Sequence, residues 1–120
     1  MPSVYILEDD DSIRDLVLYA LKGSLDMRGF AIPSDFWRQL RTETPDLFLL
    51  DIMLPEEDGI SVLKTLKAME KTRNLPVIML TAKKSEFDRA KALDSGAADY
   101  VTKPFSILDL ISRISTVLQN

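Results

Sequence analysis

Two runs of four apolar residues, Leu47-Phe48-Leu49-Leu50 and Val77-Ile78-Met79-Leu80, constrain the fold of this chain more than any other feature. Each is too short for a helix of ordinary length. Neither alternates as a strand with one wet face would, so both read as strands buried on two sides. Such strands belong to parallel sheets covered by helices on both faces. Each run also exits into a polar residue, Asp51 after the first and Thr81 after the second. A carboxylate there either opens a turn, as Asp often does, or carries out chemistry.

The rest of the chain repeats that arrangement. Val4-Tyr5-Ile6-Leu7 reads as a first strand and ends in four acids, Glu8 to Asp11. Asp10 or Asp11 can cap the helix that follows, whose apolar stripe is Ile13, Leu16, Val17, Ala20 and Leu21, with Gly23 as its stop. Glu8 and Asp9 lie too near the strand for capping to explain them. Residues 25–32 offer the least regular strand, an edge weakened by Gly29. Ser34 is then a candidate cap for a short helix running to about Glu43, with Phe36, Trp37 and Leu40 inward and Trp37 reading as core filler. Beyond Asp51, an acidic loop with Pro55 and Gly59 leads to a helix marked by Val62, Leu63, Leu66 and Met69, with Lys64, Lys67 and Lys71 as a solvated face. Ser85 to Asp88 forms a capping box for a fourth helix stopped at Gly96. Ala97 to Val101 is a final strand, followed by Thr102-Lys103-Pro104-Phe105. Ser106 and Asp109 open a last helix with the stripe Leu108, Ile111, Ile114, Val117 and Leu118.

Five strands alternating with five helices predict an α/β fold, a five-stranded parallel sheet between two helical layers. Strand order 2-1-3-4-5 puts the switch point between strands 1 and 3. At 120 residues the chain suffices for one core, and residues 1–120 read as one domain.

Composition excludes several functions. Without cysteine or histidine the chain has no disulfide, thiolate, imidazole metal site, Ser-His-Asp triad or phosphohistidine. A net charge of -4 argues against direct nucleic-acid binding. The N-terminus lacks a signal-peptide pattern, and no apolar stretch approaches the ~20 residues of a membrane span, so a cytoplasmic protein with no membrane partner is expected.

Ligands of open α/β sheets bind outside the carboxyl ends of the strands. The residues expected there are Glu8, Asp9, Asp51, Thr81 and Lys103. Taken singly, Lys103 can be a surface lysine and Thr81 a strand-end hydroxyl. Together they make a phosphoryl site. Three close carboxylates repel unless a cation intervenes, and hard oxygen ligands select Mg²⁺ over zinc. A carboxylate can attack phosphorus to form an aspartyl phosphate, with Lys103 and Thr81 contacting phosphoryl oxygens.

Ile6-Leu7-Glu8-Asp9-Asp10, Leu49 to Pro55, Asp58-Gly59, Leu80-Thr81-Ala82, Gly96 to Tyr100 and Thr102-Lys103-Pro104-Phe105 together resemble the receiver domain of two-component response regulators, over essentially the whole chain. The resemblance implies a flavodoxin-like (βα)5 fold and Asp51 as phosphoacceptor. Asp9 and Asp51 would bind Mg²⁺ (or Mn²⁺) directly, Met53 through its backbone carbonyl and Glu8 through water. Lys103, Thr81 and Ala82 would contact the phosphoryl group, and the bond to Pro104 would be cis. Thr81 and Tyr100 would form a switch pair that remodels helix 4, strand 5 and helix 5. Outside the resemblance, Tyr100 reads as a half-exposed edge aromatic. The implied donor is a sensor histidine kinase, and the output is transcription if an effector domain follows. Asp109 and Arg113 are similar to the class that dimerises through that same face and carries a winged-helix domain, whereas Ala98 departs from it. Such a protein is a switch that promotes only its own phosphorylation and dephosphorylation. The alternatives are a phosphorylation-independent interaction module and an aspartate-based phosphatase. Met53 counts against the phosphatase, which would place a second Asp there.

Overall fold

The computed structural model describes residues 1–119. Its strands are β1 (Ser3–Leu7), β2 (Asp26–Phe30), β3 (Leu47–Leu50), β4 (Val77–Thr81) and β5 (Asp99–Thr102). They alternate with helices α1 (Asp11–Leu21), α2 (Pro33–Leu40), α3 (Gly59–Ala68), α4 (Glu86–Asp94) and α5 (Ile107–Gln119). All strands are parallel, in the order β2-β1-β3-β4-β5.

Period-two alternation sorts the side chains of the sheet into two cores. Tyr5, Leu7, Phe48, Leu50, Val77, Met79 and Tyr100 face the side covered by α2, α3 and α4. Val4, Ile6, Leu47, Leu49, Ile78, Leu80 and Val101 face the side of α1 and α5. The two apolar runs of the sequence are buried throughout. Register aligns the strand ends: Leu7 pairs with Leu50, Leu50 with Met79 and Thr81 with Thr102. Glu8, Asp51 and the segment after Thr102 therefore emerge on one edge.

The helices begin where short polar side chains can take up free amides. The side chain of Asp10 accepts from the Ile13 amide, Asp58 from Ser61 and Ser85 from Asp88. α2 differs from the sequence expectation. Ser34 does not cap it; Ile32 occupies the cap position and Pro33 follows. The amide and hydroxyl of Ser34 instead donate to Glu56, 22 residues away, at 2.8 and 3.0 Å. α5 keeps Ile114, Val117 and Leu118 of the expected stripe inward, but its first turns differ: Leu110 is buried, whereas Leu108 is 79% exposed and Ile111 borders on solvent. Of the three lysines expected on a solvated face, Lys64 is exposed, but Lys67 in α3 and Lys71 after it are tied to backbone carbonyls. Lys67 donates to the carbonyls of Arg73 and Leu75, and Lys71 to that of Leu40.

The helices differ in how firmly they are seated. α3 buries Gly59, Ile60, Val62, Leu63 and Leu66. α4 buries Ala92 alone. Among the described residues no helix is long and apolar enough to cross a membrane.

Candidate phosphoryl-acceptor site

The alignment of strand ends brings Glu8, Asp9 and Asp51 together, with one carboxylate oxygen from each within 4.8 Å of the others. Glu8 and Asp51 are buried and Asp9 is exposed. Lys103, in the loop after β5, donates to Oδ2 of Asp51 at 2.9 Å and to Oε1 of Glu8. The Lys103 amide donates to the Thr81 carbonyl at 2.9 Å, which ties the start of this loop to the end of β4; the Lys103–Pro104 peptide is cis.

Backbone amides hold the remaining carboxylate oxygens. Oε2 of Glu8 accepts from the Asp10 amide at 3.1 Å, and Oδ1 of Asp51 accepts from the Met53 amide at 3.2 Å. The loop between β3 and α3 doubles back on itself, with the Leu54 and Gly59 amides both donating to the Ile52 carbonyl. Gly59 is required there, since a Cβ on it would collide with the Asp51 carbonyl. Met53 is exposed.

Burial dominates the electrostatics. Desolvation is the largest influence on Glu8 and, with Asp51 nearby, raises its pKa from 4.5 to about 7, although the Lys103 and Asp10 bonds oppose it. Burial works to lower Lys103, but its bonds to Glu8 and Asp51 outweigh that and raise it. The ammonium is therefore firmly charged while Glu8 titrates near neutrality. With all three acids ionised, one cation faces three anions. That excess of negative charge, two carboxylates buried and one exposed, all hard oxygen and without imidazole or thiolate, fits a small divalent cation such as Mg²⁺.

Thr81, the last residue of β4, is wholly buried, and its Oγ1 accepts from the Lys83 amide at 3.3 Å. Tyr100 is not the half-exposed edge aromatic that its position alone suggested. It is 2% exposed, and its hydroxyl donates to the Lys83 carbonyl at 2.8 Å. Arg89 of α4 donates to the Tyr100 carbonyl at 3.2 Å and lies 5.8 Å from the centre of its ring. A groove of about 620 Å³ opens beside the acids, bounded by Asp9, Met53, Asp58, Lys83, Asp88 and Lys91. Sequence reasoning did not single out Lys83 or Lys91, because a lysine on a polar loop or helix carries no local sign that it borders a site.

The chain matches the response regulator receiver domain over residues 4–115. It belongs to that family.

Among curated relatives, the Escherichia coli phosphate regulon transcriptional regulatory protein PhoB is 40% identical over 97% of this chain and 51% of its own length. The Bacillus subtilis alkaline phosphatase synthesis transcriptional regulatory protein PhoP is 38% identical over 97% of this chain and 48% of its own. This receiver thus spans about half the length of the curated relatives it matches. Two solved structures share its fold along their whole length. The Francisella response regulator 1452 receiver domain has a TM-score of 0.90 and 32% identity, covering 99% of this chain and 98% of that one. The BeF3-activated receiver domain of Thermotoga maritima DrrB has a TM-score of 0.92 and 29% identity, covering 100% and 99%. Sheet order and helix placement in this receiver are those of the flavodoxin-like fold expected from the sequence.

Proposed function

We propose that this receiver accepts a phosphoryl group on Asp51 from a phosphohistidine of a sensor kinase and relays the change to an output. The observation that carries this reading is the convergence of Glu8, Asp9, Asp51 and Lys103 at one edge of the sheet. An Asp51 oxygen attacks phosphorus as the bond from phosphorus to the donor nitrogen breaks. The product is an aspartyl phosphate, which water later cleaves to inorganic phosphate and free carboxylate. Lys103 holds Asp51 in line and offers its charge to the phosphoryl oxygens, and Thr81 and the backbone at Ala82 take the others. Asp9, Asp51 and the Met53 carbonyl would hold Mg²⁺ (or Mn²⁺), with Glu8 reaching it through water. When bound, the ion neutralises charge between an anionic nucleophile and an anionic donor.

The protein in this reading is a cytoplasmic switch that turns over only its own phosphate. Thr81 and Tyr100 transmit the change to α4, β5 and α5, and that face pairs with a second copy. Exposed Phe87 and Leu93 on α4 and Leu108 on α5 support this. The output is transcriptional if a DNA-binding domain follows, as the names of the relatives suggest.

The deciding experiment is labelling by a low-molecular-weight acyl phosphate or phosphoramidate. Label should appear only with Mg²⁺ and vanish in Asp51→Asn. Persistent label in that variant would move the acceptor elsewhere, and a chain inert under all conditions would favour the phosphorylation-independent module.

A further inference from the structure

The loop from Asp51 to Gly59 is fastened on its outer side by contacts that neither the acid cluster nor the fold requires. Both carboxylate oxygens of Glu56 are held by Ser34, one by its amide at 2.8 Å and one by its hydroxyl at 3.0 Å. Glu57 accepts from the indole N–H of Trp37 at 2.7 Å through one oxygen and from the Ser61 hydroxyl at 3.0 Å through the other. α2 thus grips two consecutive acids of the loop, and α3 shares one of them. Glu56 is also the one non-glycine residue with positive φ among those described, at 70°. Such a conformation persists only where surrounding contacts impose it. The inner side of the same loop carries the Met53 amide, bonded to Asp51, and the Leu54 and Gly59 amides, bonded to the Ile52 carbonyl.

We infer that Ser34 and Trp37 of α2 are positioning residues for the divalent-cation site, holding the Glu56-Glu57 segment so that the Met53 backbone is ordered before the ion arrives. This rests on the metal reading above and extends it to a helix that makes no hydrogen bond to Glu8, Asp9 or Asp51. A loop already fixed loses little freedom on binding, whereas a loose loop must be ordered by the ion at the expense of affinity. All three bonds come from neutral groups of α2; Ser34→Ala and Trp37→Phe remove the hydroxyl's and the indole's, leave the Ser34 amide bond in place, and do not change the charge around the site. Any effect on the cation must then act through loop geometry.

The test is a titration of the full chain with Mg²⁺ alone, followed by amide NMR, in wild type, Ser34→Ala/Trp37→Phe, Trp37→Phe and Asp9→Asn. Phenylalanine keeps the packing of Trp37 against Phe36, whose rings lie 5.1 Å apart. The double variant should keep the wild-type amide pattern in the sheet yet bind Mg²⁺ about tenfold more weakly, the size expected for groups that orient ligands. Trp37→Phe alone, the safer variant if the double one misfolds, should show part of that loss. Saturating Mg²⁺ should restore acyl-phosphate labelling of either variant to the wild-type rate. A merely structural role for α2 would lower the melting temperature without moving the Mg²⁺ midpoint. Unchanged affinity in both α2 variants, with Asp9→Asn still abolishing binding, would overturn the inference while leaving the metal site intact. Wild type indistinguishable from Asp9→Asn would overturn the metal reading and this inference with it.

Discussion

Gly59 stands against Asp51 at a separation that no other residue type permits, because a Cβ there would strike the Asp51 carbonyl. The acid at the end of β3 and the first residue of α3 are therefore one structural unit.

Replacing Gly59 with alanine should force that unit apart. The expected cost is about 3 kcal/mol in chemical denaturation, at the upper end for overpacking a closed site. Acyl-phosphate labelling of Asp51 should fall with it, since the displaced carbonyl belongs to the acceptor residue.

Lys103 is the cation that two buried carboxylates share. Lys103→Met keeps the apolar stem but leaves Glu8 and Asp51 facing each other, and should cost about 3 kcal/mol without metal. The loss should be larger at pH 8 than at pH 5, where Glu8 takes up a proton. Denaturation curves with saturating Mg²⁺ should recover most of the difference.

Glu8 should link metal binding to pH. Its folded pKa, about 7, lies above the 4.5 of the free side chain. The native state therefore binds more protons than the unfolded chain between those values. Its contribution to stability is fully present below about 4.5 and is lost as pH rises through about 7. Mg²⁺ affinity should run the opposite way, rising through about pH 7 as the proton leaves. Titrations from pH 5 to 9 check this, and Glu8→Gln should flatten the dependence.

Tyr100 ties β5 to the segment after β4 through the Lys83 carbonyl. Tyr100→Phe removes only the hydroxyl and should cost about 1 kcal/mol by denaturation. Faster amide exchange should be confined to residues 82–85, next to the wholly buried Thr81.

What the sequence disclosed followed from where burial is complete. Leu47 to Leu50 and Val77 to Leu80 show no alternation because both of their faces are covered, and that alone marks a central parallel strand. Glu8 and Asp51 could be placed at one edge of the sheet because they directly follow central strands, whereas Lys103 follows the edge strand β5. β2 was vague for the converse reason: it is an edge strand with Asp26, Arg28 and Gly29 exposed, so its pattern carries little constraint. The first turns of α5 carry four apolar residues, Ile107, Leu108, Leu110 and Ile111, so the sequence leaves the inward face open there. Packing against α1 and the sheet kept Ile114 inward as expected and selected Leu110 over Leu108 and Ile111. The bonds from Ser34 to Glu56 and from Trp37 to Glu57 join residues 22 and 20 positions apart. No local periodicity encodes such pairings.

The uneven seating of the helices has an energetic consequence. α4 contributes only Ala92 to the core and is tied to β5 by the bond from Arg89 to the Tyr100 carbonyl, whereas α3 contributes Ile60, Val62, Leu63 and Leu66. Thermal fluctuation at equilibrium should therefore concentrate in α4.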